Sequence, residues 1–253
     1  MKILKPGITS VQDMGRFGYQ AFGMSTAGAC DQYAYRISNI LVGNDKKQAS
    51  LESMLMGPTI EFEEDTVFAI TGGEFDAQLN GSPVYNWHSY AARPGDVLEL
   101  GGSSCGSFCY ISFSGGIDIK SVMGSRSTYI KGKIGGIEGR YIKTGDVINA
   151  SKANMSMRGR QLEGIYIPHY EREISVRVVM GPQDDYFTKK GIYTFLNSSY
   201  EVTQNIDRMG YRLKGETIEH SKGADIISDG IPLGSVQVPG DRQPIVMMAD
   251  RQT

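Results

Sequence analysis

The sequence lacks several features that mark common classes of protein. No stretch approaches the roughly 18 consecutive apolar residues of a membrane-spanning helix, and residues 1–7 lack the apolar core of a signal peptide. An excess of one charge is also missing, because 26 Lys and Arg oppose 28 Asp and Glu, for a net charge of −2. Nothing in this balance favours nucleic acid. We therefore expect a cytoplasmic protein that binds neither a membrane nor nucleic acid.

Cysteine, histidine and nucleotide-binding motifs are also scarce. The three cysteines lack the spacing of a disulfide framework, which favours a reducing compartment. The three histidines lie far apart, so no metal site is predicted. No Gly-x4-Gly-Lys-Ser/Thr phosphate loop occurs. Residues 102–106 fit the letters Gly-x-Ser-x-Gly, but they join two predicted strands, so we interpret them as a hairpin loop rather than a nucleophile elbow.

Short strands separated by turns dominate what is present. The chain has 32 Gly and 9 Pro without a repeating period, which predicts a mainly β fold with few short helices. Apolar spacing predicts one helix from about Ala29 to Leu41, with Asp31 in its first turn. Alternating strands begin near residue 50, and Asn80-Gly81 indicates a hairpin turn.

The chain divides into two β regions. We predict a first domain over residues 1–150, a polar linker over 151–174 and a second domain over 175–253. The second domain is predicted to open with a strand at 175–180 and to contain another at 209–213. A short helix is predicted at 184–190.

Two glycine-rich turns each hold an arginine. Gly124-Ser125-Arg126-Ser127-Thr128 places a guanidinium between hydroxyl donors, and residues 135–140 end at Arg140. Arginine suits a two-point grip on a carboxylate or phosphate, and turn amides can form anion nests. The alternative is that both are solvated turns with exposed arginines.

Motifs along the whole chain resemble those of one family. They are Thr9-Ser10-Val11-Gln12-Asp13-Met14-Gly15-Arg16, Gly28-Ala29-Cys30-Asp31, residues 124–128, Asp207-Arg208-Met209-Gly210, Gln237-Val238-Pro239-Gly240-Asp241 and Asp250-Arg251-Gln252-Thr253. In this order they are similar to the biotin-dependent carboxyltransferase and allophanate hydrolase subunit 2 family.

This resemblance implies a fold of two cyclophilin-like β-barrel domains with a cleft between them. Three positions depart from the family pattern, namely Phe17 for Pro, Cys30 for Met and Arg242 for Gly. Family members continue past the Asp-Arg-Gln-Thr motif with a Thr-Gly-Gly-Tyr-Pro segment and further strands. We therefore expect the second domain to be incomplete at its C-terminus.

The resemblance implies a subunit of an ATP-dependent 5-oxoprolinase, which opens 5-oxoproline to glutamate. The expected partners are a KipI-like B subunit and a lactam-utilisation-type A subunit, with ATP acting through the complex. One alternative is a KipA-like regulatory subunit that binds a KipI-like kinase inhibitor. Another is a biotin-dependent carboxyltransferase of the urea or allophanate type. The chain has no Ala-Met-Lys-Met attachment motif, which argues against biotin as its cofactor.

The resemblance also implies site residues. Asp31, Asp241 and Asp250 would be the catalytic acid–base members. Substrate-binding residues would be Arg126, Arg140, Arg208, Arg251, Glu52 and Gln243. Structural alternatives remain, because Asp31 suits a helix start, Asp241 suits a turn, and Asp13 with Arg16 suits an ion pair.

Overall fold

The computed structural model describes residues 1–171 and 173–252, and contacts divide the chain into two compact units. The first unit comprises residues 1–16 and 27–174, and the second comprises 17–26 and 175–253. Arg172 and Thr253, which the predicted linker and second domain include, lie outside the described residues. Within the described residues, no helix is both long enough and apolar enough to span a bilayer.

Among the described residues of the first unit, the regular structure consists of eight strands and one α-helix, with two short 3-10 turns. They are β1 (Lys2–Lys5), β2 (Thr9–Gln12), α1 (Gln32–Leu41), β3 (Ser50–Met54), β4 (Thr59–Glu61), β5 (Thr66–Leu79), β6 (Ser82–Pro83), β7 (His88–Ala92) and β8 (Val97–Phe113). The strands form one antiparallel sheet in which β8 pairs with β3, β4 and β5. This long central strand is what brings distant segments of the chain together.

β5 and β8 are longer and less regular than the sequence predicted. Their ladder shifts register between Gly72 and Ala77, and such bulges bend a strand. Residues 102–106, interpreted from sequence as a hairpin loop, lie inside β8, so that prediction is wrong. Gly106 has a φ of 76° there, which explains why a turn-like sequence can occur within a strand.

A core of aromatic and aliphatic side chains fills the inner face of this sheet. Phe62 stacks on Phe68 at 5.4 Å between ring centroids and meets Phe113 edge-on at 6.4 Å. All three are fully buried. Burial of side chains of this size stabilises by about 1.5–3 kcal/mol each. This core holds β8 in place, and β8 carries one of the site residues described below.

The predicted helix is confirmed as α1, although it begins at Gln32 rather than near Ala29. Asp31 is its N-cap rather than a first-turn residue. The buried face of α1 packs on β5 and β8, and polar side chains lie beneath it. The Ser112 hydroxyl there bonds to those of Ser38 and Ser50, each at 2.6 Å.

The segment 151–174, predicted as a linker, belongs by its contacts to the first unit. The Ser89 hydroxyl donates to the Met157 carbonyl at 2.6 Å, and the Leu162 amide donates to the Trp87 carbonyl at 3.0 Å. A polar, irregular sequence can therefore pack along a strand through backbone bonds, without regular structure of its own.

The second unit contains a helix and a four-stranded sheet. They are α2 (Lys189–Asn197), β9 (Tyr200–Ile206), β10 (Gly210–Gly215), β11 (Val236–Gln237) and β12 (Ile245–Met247). The strand predicted at 209–213 is confirmed as part of β10. The helix predicted at 184–190 lies too early, because 184–186 is a 3-10 turn and α2 begins at Lys189. The described residues form two short α-helices and twelve strands, so the predicted mainly β fold is confirmed.

The strand predicted at 175–180 is wrong, because those residues are not paired in any ladder of the described structure. Val176, Val178 and Val179 are exposed instead. Their apolar, β-branched sequence favours an extended chain, but a strand also requires a backbone partner.

Candidate functional site

A buried carboxylate, Glu52, joins two strands and the start of α1. Glu52 on β3 lies directly opposite Tyr110 on β8, and both side chains are buried. The Tyr110 hydroxyl donates to Glu52 Oε2 at 2.7 Å, and the Cys30 amide donates to the same oxygen at 2.8 Å. The Asp31 amide in turn donates to the Tyr110 hydroxyl at 2.7 Å. Glu52 therefore fixes the position at which α1 begins.

Asp31 uses both carboxylate oxygens inside the first unit. Oδ1 accepts the Tyr33 and Ala34 amides at 3.1 and 2.9 Å, which is an N-cap arrangement. Oδ2 accepts the Tyr170 hydroxyl at 2.7 Å. Asp31 thus caps the helix and holds Tyr170, a residue far along the chain, against it.

The two phenols of this network stay protonated. Burial, reinforced by the neighbouring Glu52 carboxylate, raises the pKa of Tyr110 well above its usual value. Burial and the hydrogen bond to Asp31 likewise raise the pKa of Tyr170. Both tyrosines are therefore neutral donors near neutral pH, and their role toward the carboxylates is to orient them.

A second buried carboxylate, Asp13, organises the predicted arginine loop. Asp13 Oδ1 accepts the hydroxyls of Ser125 and Ser127 at 2.7 and 2.5 Å, and the Gly15 amide at 2.8 Å. Its Oδ2 accepts the Arg126 amide at 2.5 Å. The donors predicted to receive an external anion therefore hold an internal one. The Arg126 side chain donates from Nε to the Ile119 carbonyl at 2.9 Å.

Arg16 supports the same loop from the other side. Its side chain is fully buried, and it donates to the carbonyls of Val122 and Ser127 at 3.1 and 3.0 Å. Asp13 and Arg16 thus each bind residues of the loop directly. Their motif is a structural clamp on residues 122–127.

Arg140 grips a carboxylate of its own turn. Its two terminal nitrogens donate to both oxygens of Asp146 at 2.7 and 3.0 Å, and its Nε donates to Glu138 at 3.0 Å. The hydrogen bonds from Arg140 hold the pKa of Asp146 below its usual value. Arg140 therefore holds an internal carboxylate, that of Asp146, in a two-point grip, and its predicted role in substrate binding stays a prediction.

The second unit contains a buried ion pair between two predicted site residues. Arg208 donates from Nε and Nη2 to Asp250 Oδ1 at 3.2 and 3.0 Å. Both side chains are 4% exposed. The neighbouring Arg251 donates to the carbonyl of Ile231, and burial lowers its pKa.

The remaining predicted residues of the second unit lie in turns. The Gln243 side chain accepts the Gly215 amide at 2.8 Å and donates to the Gly215 carbonyl at 3.1 Å. Asp241 is exposed, and one of its oxygens accepts the Gln243 amide at 3.2 Å. Gln243 therefore ties β10 to the turn before β12, and Asp241 shapes that turn.

Among the predicted site residues, the structure joins Asp31 with Glu52 through Tyr110, and Arg208 with Asp250. Asp241 and Gln243 also meet within one turn. The other predicted residues, Arg126, Arg140 and Arg251, each have separate partners. Sequence reasoning missed Tyr110 and Tyr170, because neither lies in a recognised motif. Within the described residues, no cluster of three or more His, Cys, Asp or Glu could hold a metal ion.

Comparison with known proteins agrees with a mainly β carboxyltransferase-type domain. The family model described as "Carboxyltransferase domain, subdomain A and B" matches residues 22–253. The chain belongs to this family.

Two relatives and one solved structure make the similarity more specific. The chain is 37% identical to the C subunit of 5-oxoprolinase from Escherichia coli K12, covering 100% of this chain and 81% of that protein. It is 35% identical to the C subunit of 5-oxoprolinase from Haemophilus influenzae, covering 96% and 77%. The crystal structure of the K. lactis urea amidolyase matches with a TM-score of 0.84 at 30% identity over 99% of this chain. The match spans only 16% of the amidolyase chain.

Proposed function

We propose that this chain is a subunit of an ATP-dependent 5-oxoprolinase, which opens the ring of 5-oxoproline to give glutamate. The observation that carries the proposal is the similarity to the C subunits of two 5-oxoprolinases, at 37% and 35% identity over nearly the whole chain. A protein that is one subunit of an enzyme acts together with other chains. We propose a KipI-like B subunit and a lactam-utilisation-type A subunit as the partners, in the cytoplasm.

The glycine-rich loop at residues 124–128 does not fit a nucleotide phosphate. The Arg126 amide and the hydroxyls of Ser125 and Ser127 already donate to Asp13. For Asp31 and Glu52 we propose a positioning role, because both carboxylates are engaged by phenols and amides of the first unit.

The test is 5-oxoproline-dependent phosphate release by the purified chain mixed with the two partner subunits, each omitted in turn. We expect release only when this chain is present. Arg126→Ala removes the side-chain bond to the Ile119 carbonyl that braces the loop, so it is expected to lower the rate, while Arg93→Ala, at an exposed turn, serves as the matched control. No 5-oxoproline-dependent release from the full mixture of folded subunits would contradict the proposal.

A carboxyltransferase working with a separate biotin carrier is the second candidate, favoured by the likeness to urea amidolyase. It predicts carboxyl transfer to urea or a similar amide that depends on a biotinylated partner. An activity that avidin does not inhibit would exclude it.

A further inference from the structure

The first unit contains a cavity of about 190 Å³ that lies outside all the predicted site residues. Its walls come from the β5 bulge, the turn before β7 and the segment 167–170. A cavity of about 150 Å³ can hold a benzene molecule. The volume therefore suits a five- or six-membered ring with one substituent.

The backbone around the cavity is held in unusual conformations. Gly72 has a φ of 98°, and a Cβ there would lie 2.6 Å from the Phe108 carbonyl oxygen, so only glycine fits. Trp87 has a φ of 64°, a region that bulky residues rarely adopt. The Asn86 amide nitrogen donates to the carbonyls of Gly72 and Gly73 and fixes the two walls to each other. Such strain persists only where its surroundings enforce it, and it concentrates at functional sites.

The third wall is anchored to the Asp31 network. Tyr170 donates its hydroxyl to Asp31, and its carbonyl accepts from the Cys105 thiol at 2.9 Å. The cavity is therefore preformed, and it borders the helix cap that the family motif Gly-Ala-Cys-Asp provides. A preformed cavity binds without the cost of ordering its walls.

The lining combines apolar faces with three ionisable side chains, of which Tyr170 is already bonded to Asp31 while Glu74 and His169 are exposed. Trp87, Ile167 and Pro168 offer flat or aliphatic surface, Glu74 is an acceptor, and the His169 ring can donate. A ligand that satisfies this set has a compact ring, an N–H donor and an acceptor group. A cyclic amide has all three.

We propose that this cavity binds a small cyclic amide, with Glu74 accepting the ring N–H and His169 donating to an oxygen of the ligand. This inference rests on the proposed function, because it assigns the ring substrate to this subunit. It names Glu74 and His169 as binding residues.

Trp87, the single tryptophan of the chain, lines the cavity and is a built-in probe. Titration of the whole chain with 5-oxoproline is expected to change its emission saturably. Cyclopentanecarboxylate, which lacks both the ring N–H and the lactam carbonyl, is expected to bind at least about tenfold more weakly. Glu74→Gln and His169→Gln should each weaken 5-oxoproline binding at least tenfold. Both positions are exposed, so the fold should tolerate the changes. Asp76→Asn and Glu171→Gln, exposed neighbours outside the cavity, are the matched controls.

The same variants are then placed in the mixture with partner subunits. One outcome overturns the cavity assignment and leaves the proposed function standing. In it, turnover needs this chain, but Glu74→Gln and His169→Gln each change the KM for 5-oxoproline less than twofold. Binding that these variants weaken, without any turnover, supports the cavity and contradicts the proposed function. The cavity assignment is also overturned if the wild-type chain and both variants bind 5-oxoproline equally. It is overturned as well if 5-oxoproline neither changes Trp87 emission nor shows line broadening in NMR spectra.

Discussion

Replacing Tyr110 with phenylalanine tests whether the Glu52 network holds the first unit together. The change removes one oxygen from a fully buried ring and leaves its packing intact. Two hydrogen bonds are lost, one donated to Glu52 and one accepted from the Asp31 amide, both 2.7 Å long. A bond to a charged group contributes about 1.5–3 kcal/mol and a neutral one about 0.5–1.5 kcal/mol. We therefore expect the free energy of unfolding to fall by about 2–4 kcal/mol.

Urea unfolding followed by Trp87 emission is the assay, because Trp87 packs in the same buried cluster as Tyr110. With a slope of about 2 kcal/mol per molar urea, the midpoint should fall by about 1–2 M. Tyr85→Phe removes a hydroxyl from a ring that is 69% exposed and should cost less than about 0.5 kcal/mol. Combining Tyr110→Phe with Glu52→Gln should cost less than the sum of the single changes. A loss below about 0.5 kcal/mol for Tyr110→Phe would refute the reasoning.

Three further outcomes follow from the same contacts. Because burial raises the pKa of Tyr110, the unfolded chain releases that proton first as the pH passes about 10. This one group should then cost the first unit about 1.4 kcal/mol per pH unit, and Tyr170, whose pKa is also raised, adds to the loss. Urea titrations from about pH 8 to 11 that show no decline in stability would contradict this. Asp250→Asn breaks the ion pair with Arg208, in which both side chains are 4% exposed. It should destabilise the second unit by about 3–5 kcal/mol, measured by hydrogen exchange. Asp241→Asn, at an exposed position, should change the stability of this unit little. Gly28 has a φ of 90°, and a Cβ added there would lie 2.9 Å from backbone atoms. Gly28→Ala should therefore lower the stability by about 1–3 kcal/mol, measured by thermal unfolding. An unchanged unfolding midpoint would contradict this and would show that the turn relaxes.

The parts of the fold that depend on local sequence could be predicted. The apolar spacing of α1 and the Asn80-Gly81 turn are both set by neighbouring residues, and the structure contains both. The strand predicted at 175–180 is not formed, because strand formation depends on a partner elsewhere in the chain. The prediction for residues 102–106 is wrong for a related reason, because glycines within a long strand look like a turn when the strand opposite is unknown.

The motifs that hold the candidate site residues could be predicted from the sequence, but the residues to which they hydrogen-bond could not. Asp31 meets Tyr170 across 139 residues of sequence, and Asp13 meets Ser125 across 112. No local pattern encodes such a pairing, since it follows from the course of whole strands. The role of Tyr110 could not be predicted for the same reason, because it depends on the strand register that places Tyr110 opposite Glu52.

The polar residues of the first unit therefore fall into two groups, those that belong to the family motifs and those that line the cavity. Asp13 accepts four donors from its own turn and from residues 125–127, so both of its carboxylate oxygens are engaged inside the protein. A residue whose oxygens are all engaged in this way fixes the shape of a loop, and it has little left to offer a substrate. Glu74 and His169, by contrast, carry ionisable groups at a cavity wall and belong to none of the recognised motifs. We therefore expect ligand recognition in the first unit at such side chains, with the motif residue Asp31 holding one wall of the cavity in place through Tyr170.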